Sequence, residues 1–350
     1  MQKMSPDGKV NWMDYDVSVE ECLLQNAYAA SQDLAVEEDL KEGLQEILSE
    51  ILGDKNQTEA AVQMYRYYFD RKIPFGRELI ENSEDVSQGR ISTAVYFARA
   101  VWLSQENVYK LPPDSLDFVE QILDLLRDNK AKHGHYAMVE VSRFVGYAHT
   151  FPYIFRLGRL EFEIARFAYP YTVYAENGRI FELVQQTVTE ENGTITGNLY
   201  AEDGLNLAEP VTLANPVCLL KQGDMVLSVH VPGKEKMSDE LVESAFQQAL
   251  PFFKRYFPEM KFKAYICSSW LLDPDLSRFL NEESNILRFQ RRFCIPFKQC
   301  YNPALYTFIF NRSKICPLEE LVPQNRFQRE ILEYVKAGGD IYSGRGYILI

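Results

Sequence analysis

The hydrophobic period of this 350-residue chain changes near residue 150, and that change most constrains the fold. Before it, apolar residues recur at the three- and four-residue intervals of amphipathic helices. After it, they alternate with polar residues as in half-buried strands. A chain of this length also exceeds what one hydrophobic core usually covers. The sequence therefore predicts an α+β protein with a helical domain over residues 1–150 and a sheet domain over residues 151–350.

The helical half carries two clear amphipathic patterns. The first is followed by Gly53 as a helix stop and joins five apolar residues: Leu40, Leu44, Ile47, Leu48 and Ile51. The second follows Pro112 and Pro113 and joins another five: Leu116, Val119, Ile122, Leu123 and Leu126. Between them, residues 91–102 predict a more buried helix. Bundled helices are the simplest arrangement for these faces.

The second half begins with alternation over residues 158–167, which predicts the first strand. Further strands are predicted at 171–174, 179–188, 195–200 and 225–231, and Gly-containing turn signals separate them. The order then becomes helix 238–257, strand 262–268, helix 275–292 and strand 305–310. Such a meander leading into a strand-helix-strand unit predicts a mixed sheet with helices on its faces.

Charge and composition exclude several classes of partner. The net charge of -13, with no basic block, argues against nucleic acid. No segment reaches the roughly 18 apolar residues that span a membrane, and the first residues lack the apolar core of a signal peptide. We therefore expect a cytoplasmic protein with no membrane partner. The six cysteines lack CxxC spacing and are expected to be free thiols.

Several sequence phrases occur in one order along the second half: RLGRLEFE at 156–163, GDMVLSVHVP at 223–232, SAFQQALPFF at 244–253, CSSWLLDP at 267–274 and SNILRF at 284–289. Together they resemble the GNAT-like C-terminal domain of a bacterial acyltransferase family. In that family the domain follows a helical N-acyltransferase N-terminal domain, so the resemblance implies a GNAT-like mixed β-sheet with flanking helices after a helical domain.

The same resemblance implies transfer of an acyl group, expected to be acetyl, from acyl-CoA to an unidentified amine. The acceptor would be a small molecule or a peptide, and no metal is implied. Fold-level analogy alone does not establish catalysis. A non-catalytic GNAT-like module that binds CoA or a protein partner is therefore the alternative, and a homo-oligomer remains open.

In a GNAT-like domain the pantetheine arm of CoA pairs with a splayed central strand, and the pyrophosphate meets backbone amides where that strand turns into a helix. Here the corresponding segment is 227–238, which makes the following residues cofactor-binding candidates: Val229, Val231, Gly233, Lys234, Lys236 and Ser238. The usual glycine-rich loop is reduced to Gly233, and Asp239 and Glu240 occupy the first helical turn. A well-capped structural helix is the alternative interpretation.

Three residues are candidates for catalysis. His230, at the end of the strand, is the candidate general base, although a histidine that shapes the turn is the alternative. Ser268, or its neighbour Ser269, is placed to polarise the thioester carbonyl or protonate the leaving thiolate. Alternation puts Cys267 on the other side of the strand, which favours packing. Asn285 stands where many GNAT enzymes have a tyrosine acid, with helix capping as the simpler account.

Several other residues can be interpreted either as structural or as functional. His133 and His135 have a spacing that can chelate a metal, but no third ligand is evident and a solvated loop is favoured. Arg156 and Arg159 flank the first strand and are candidates for an acidic substrate group or for salt bridges. The glycines within residues 344–346 are expected in turns around a last strand.

Overall fold

A computed structural model describes residues 21–69, 86–106, 118–138, 154–233, 236–312 and 315–350. The chain divides into two compact units, residues 1–152 and 153–350. The described part of the first unit is helical, and the second combines strands with helices, so the predicted α+β class is confirmed. Over the described ranges, no helix has the length and apolarity required to cross a membrane.

The first unit contains α1 (Glu21–Gln32), α2 (Glu38–Gly53), α3 (Lys55–Phe69), α4 (Val86–Glu106) and α5 (Phe118–His133). Both amphipathic patterns lie on helices, as expected. All five apolar residues predicted for the face of α2 are 2% exposed or less. On α5, Ile122, Leu123 and Leu126 are buried, whereas Leu116 lies outside the described residues. The predicted buried helix is α4, whose residues 94–98 are all buried.

The strands of the second unit are, in chain order, β1 (Ile154–Leu157), β2 (Leu160–Arg166), β3 (Tyr171–Glu176), β4 (Arg179–Val184), β5 (Thr189–Glu191), β6 (Thr194–Tyr200), β7 (Leu207–Leu213), β8 (Val217–Leu220), β9 (Met225–His230), β10 (Ala264–Ser269), β11 (Cys294–Cys300) and β12 (Tyr342–Leu349). Its helices are α6 (Asp239–Tyr256), α7 (Asn285–Gln290) and α8 (Arg326–Lys336).

The first sheet of this unit has the strand order β1-β2-β9-β10-β12-β11. Its central pair, β9 and β10, is parallel, and the other neighbours are antiparallel, so the sheet is mixed as predicted. Because parallel neighbours need a crossover, α6 connects β9 to β10. Phe246 and Phe253 of α6 meet Phe162 of β2 edge-on, with ring centroids 5.8 and 6.5 Å apart. This aromatic contact fixes α6 against one face of the sheet.

The second sheet is antiparallel, with the order β5-β6-β4-β3-β8 and β7 paired to β6. Asn177 and Gly178 have φ angles of 50° and 76°, as a tight hairpin turn between β3 and β4 requires. The sequence placed these strands in one mixed sheet, which is wrong because they form a sheet of their own. A buried core joins the two sheets and contains Phe167, Tyr169, Tyr171, Val173, Leu220, Val226, Ala264, Ile266 and Tyr347.

The strand predicted at 158–167 is found as β2, Leu160–Arg166, and Gly158, whose φ is +60°, makes the turn that precedes it. The last strand of the predicted order is wrong. Residues 305–310 are not a strand but a π-helical turn, Leu305–Ile309. The strand after α7 is instead β11, which contains Pro296 at a register shift between Cys294 and Phe297. A proline argues against a strand in the sequence, although strands at sheet edges and bulges tolerate it, and β11 was therefore not predicted.

The predicted helix over 275–292 is also shorter than expected. A 3-10 turn, Pro274–Arg278, is separated from α7. The glycines at 344 and 346 lie inside β12 rather than in turns. A Cβ atom at Gly344 would overlap the carbonyl oxygen of Leu272. Glycine is therefore needed here for close approach of the backbone and not for a bend.

Candidate active site

The parallel strands β9 and β10 stop pairing before their carboxyl ends. Their ladder consists of the pairs Leu227–Tyr265 and Ser228–Ile266. Both strands continue beyond these pairs, β9 to His230 and β10 to Ser269, without pairing to each other. Main-chain polar groups at the end of β9 therefore have no ladder partner on β10, and an extended ligand can pair with them. The resemblance placed the pantetheine arm at such an opening.

The strand registers show which side chains share a face at this opening. Glu161 is opposite His230, and Ser228 is opposite both Glu163 and Ile266. Because side chains alternate along a strand, Ser268 lies on the same face as Ile266. We call Glu161, Glu163, His230 and Ser268 the polar face cluster. Two of the predicted catalytic residues, His230 and Ser268, are thus brought to one face, on the two arms of the split.

His230 has a carboxylate partner that the sequence did not reveal. Its Nε2 lies 2.8 Å from Oε2 of Glu163 on the neighbouring strand β2. The two side chains are 37% and 22% exposed, so the pair borders solvent. Glu163 lies in the quoted phrase RLGRLEFE, but only the register of β2 against β9 identifies it as the partner.

The loop after β9 is held by a buried arginine. Arg159 is 4% exposed, and its guanidinium donates hydrogen bonds to the carbonyls of Pro232 and Lys236, at 2.7 and 3.0 Å. These bonds hold Arg159 to the loop, an arrangement that neither of its predicted roles described. Gly233 is exposed, with open space around it. Lys234 lies outside the described residues.

The first turn of α6 is capped, and one of its two acids, Asp239, is paired with a cation. Ser238 is the N-cap, and its hydroxyl accepts from the backbone N–H of Leu241. Asp239 accepts from Arg292 at 2.6 Å, and this hydrogen bond lowers the pKa of the Asp239 carboxyl. Arg292 also pairs with Glu243. Of the two negative charges that counted against an anion site here, the one on Asp239 is therefore accompanied by a cation 53 residues away in sequence.

Cys267 and the two serines after it differ sharply in environment. Cys267 is 1% exposed on the face that packs against α6, and burial raises the pKa of its thiol to about 12. Such a thiol is a poor nucleophile, which supports the packing interpretation. Ser269 caps the 3-10 turn that follows, since its hydroxyl accepts from the N–H of Leu271 at 3.1 Å. Ser268 is exposed, so its hydroxyl is the one available to a ligand.

Asn285 begins α7 and is exposed. Ser284 caps this helix by accepting from the N–H of Leu287 at 3.2 Å, so capping does not explain Asn285.

His133 and His135 stack with ring centroids 6.1 Å apart. Over the described ranges, no three His, Cys, Asp or Glu side chains are grouped so as to hold a metal ion.

This mixed sheet, split between two parallel strands joined by a helix, is the architecture that the resemblance predicted. The family model described as "GNAT-like C-terminal domain" matches residues 154–348. The chain therefore belongs to the GNAT-like C-terminal domain family. No curated protein matches the sequence.

Solved structures similar to this chain include an acyltransferase in complex with decanoyl-CoA and teicoplanin. It is 19% identical with a TM-score of 0.58, and the match covers 89% of this chain and 87% of that one. An acyltransferase in complex with CoA and 10C-teicoplanin is 18% identical with a TM-score of 0.59, over 89% and 87%. An acyltransferase with decanoyl-CoA is 17% identical with a TM-score of 0.56, over 93% and 98%. At these identities the likeness concerns the fold.

Proposed function

We propose that this protein is an acyl-CoA-dependent acyltransferase that moves an acyl group from the CoA thioester to an amine. The observation that carries the proposal is the split between β9 and β10, with His230 and Ser268 on one face of its two arms. Membership of the GNAT-like family and the acyl-CoA ligands of the similar acyltransferases support it. The acceptor is an amine on a small molecule or a peptide, and the reaction is expected in the cytoplasm.

The donor would lie along the unpaired edge of β9. Its pantetheine amides would pair with the main chain at Val229 and Val231, as a strand pairs with a sheet edge. The pyrophosphate would meet the loop and the first turn of α6, where the backbone N–H groups and the helix dipole favour an anion. The remaining candidates of this segment are Gly233, Lys234, Lys236 and Ser238. Arg159 supports this site because its hydrogen bonds to the carbonyls of Pro232 and Lys236 hold the loop in place.

The reacting groups would meet on the polar face cluster. His230 accepts a proton from the amine as its nitrogen attacks the thioester carbonyl, a role typically worth about 10²–10⁴-fold in rate. Ser268 donates a hydrogen bond to the carbonyl oxygen or protonates the leaving thiolate, and Asn285, at the start of α7 and not part of this cluster, is the candidate for a second donor. A C–N bond forms, the C–S bond breaks and CoA is released.

Titration calorimetry and thermal shift with CoA, acetyl-CoA and decanoyl-CoA test the donor. We expect binding and a raised melting temperature, because a ligand of the native state stabilises it by mass action. The sequence favours acetyl-CoA, and the similar acyltransferases make decanoyl-CoA the competing donor. Failure of every acyl-CoA to bind at millimolar concentration would refute the proposal.

Turnover is then measured as CoA release with a panel of amines. We expect His230→Ala to keep acyl-CoA affinity within about twofold and to lower release by about 10²-fold or more, since it removes only the base. Unchanged release in this variant would exclude His230 as the base. Binding without release for any amine would favour the non-catalytic alternative, a module that binds CoA.

A further inference from the structure

The contact between His230 and Glu163 determines which ring nitrogen of the histidine is available. Nε2 lies 2.8 Å from Oε2 of Glu163, and an ionised carboxylate only accepts hydrogen bonds. Nε2 must therefore carry the proton that it donates. In the neutral ring the lone pair is then on Nδ1. Within the described ranges, the hydrogen bond of the His230 ring is the one to Glu163, which leaves Nδ1 for a ligand.

We propose that Glu163 is a positioning residue that holds His230 in the Nε2–H tautomer, so that Nδ1 is the atom that takes the proton of the acceptor amine. This assignment rests on the proposed acyl transfer. As the amine attacks the thioester carbonyl, its proton passes to Nδ1, the C–N bond forms and the C–S bond breaks. The sulfur leaves as a thiolate, and the proton held on Nδ1 is returned to it through Ser268 or water, so that His230 and Ser268 both end in their starting states. The carboxylate of Glu163 balances the imidazolium that results.

The sheet gives this pair a rigid support. Glu163 and His230 lie diagonally on β2 and β9, whose ladder runs from Glu161–His230 to Arg166–Met225. Between the two glutamates, Phe162 is fully buried on the opposite face against α6. A side chain on a strand that is paired with its neighbour keeps its geometry better than one on a loop. Glu161 also faces His230, but the hydrogen bond is made by Glu163.

Solution NMR of ¹⁵N-histidine-labelled protein reads the tautomer without any substrate. The chain has 4 histidines, and His230→Asn assigns the ring signals of His230. We expect a protonated Nε2 and a bare Nδ1 in the neutral form of the wild-type ring. Glu163→Gln should mix the two tautomers, because an amide both donates and accepts. The control is Glu209→Gln, at an exposed glutamate of β7, and should change nothing. A wild-type ring protonated on Nδ1 would overturn the proposal.

Kinetics with the full chain separate positioning from a merely structural role. We expect Glu163→Gln to lower kcat by about 10–100-fold, with KM for acyl-CoA within about twofold. The dependence of kcat on pH should also differ from that of the wild type, because a charge is removed beside the reacting imidazole. Glu163→Asp keeps the charge and should restore part of kcat and of the profile. Glu209→Gln should match the wild type.

The outcomes distinguish this proposal from the function on which it rests. Wild-type protein that turns over no amine overturns the proposed function, and with it Nδ1 as a base. Turnover lost in His230→Asn but intact in Glu163→Gln overturns the positioning role alone. A Glu163→Gln variant that loses turnover while keeping the wild-type tautomer and pH profile assigns Glu163 a structural role, which also contradicts the proposal.

Discussion

The two faces of the first sheet differ at the carboxyl ends of β9 and β10. One face packs Phe162 and Tyr265 against the aromatic rings of α6 and buries Cys267 beside them. The other carries the polar face cluster, with His230 half-exposed and Ser268 exposed. Because side chains alternate, the same strands supply rigidity on one side and polar groups on the other. Substitutions on the packed face should change stability, and those on the polar face should change turnover.

Removing an aromatic ring from the packed face should have the largest effect. Phe162 is fully buried and contacts Phe246, Phe253 and Tyr265. We expect Phe162→Ala to lower the free energy of unfolding by about 3–5 kcal/mol, measured by urea denaturation. Phe308, which is 51% exposed, provides the control, and its alanine variant should lie within about 0.5 kcal/mol of the wild type. Similar losses at both positions would contradict a packed face.

A buried carboxyl after β10 should make stability depend on pH. Asp273 is 1% exposed, and burial raises the pKa of its carboxyl to about 6, despite hydrogen bonds from the N–H groups of Tyr342 and Asp275. A folded pKa above the unfolded value of about 4 means that its stabilising contribution is complete below pH 4. As the pH rises through 6 this contribution is lost, and the free energy of unfolding falls by about 3 kcal/mol in total.

Asp273→Asn removes the titrating carboxyl. The test therefore compares how the free energy of unfolding changes with pH in the wild type and in the variant, and not the absolute stability of either protein. We expect the difference in unfolding free energy between wild type and variant to change by about 3 kcal/mol from pH 4 to pH 7. Urea denaturation across that range measures it. Parallel curves for the two proteins would show that Asp273 does not titrate with a raised pKa.

Adjacent residues of β10 provide the most direct contrast between the faces. Cys267→Ser places a hydroxyl in an apolar site and should cost about 1–3 kcal/mol of stability with little change in kcat. Ser268→Ala should leave stability within about 0.5 kcal/mol but lower kcat by about 10–100-fold, since it removes a hydrogen-bond donor near the thioester. Thermal unfolding and CoA release measured on both variants test this. A loss of kcat at Cys267 with none at Ser268 would reverse the assignment of the faces.

The sequence predicted what depends on local period and on turn residues. The helical faces of α2 and α5, the Asn177-Gly178 hairpin and the Ser238 cap were all readable from neighbouring residues. Features that depend on register were not readable. The partnership of Glu163 with His230 crosses from β2 to β9, over 67 residues. Arg292 and Asp239, which form an ion pair, are 53 residues apart, and no local sequence pattern indicates either contact.

The errors have the same origin. The strands of the second sheet carry the same alternation as those of the first, so period alone could not assign them to separate sheets. A proline hid β11, and an apolar run at 305–309 suggested a strand where the chain makes a helical turn. Short apolar runs do not distinguish strand from helix by period.

The position of β11 has a consequence for how copies of this chain can associate. It is the last strand of the first sheet, and its outer edge faces no further strand of the described chain. Pro296 has no N–H to offer, and the register shift beside it interrupts the row of main-chain groups. An edge of this kind is a poor template for another strand. We therefore expect this border to resist sheet-to-sheet growth between molecules, and with it one common route to aggregation.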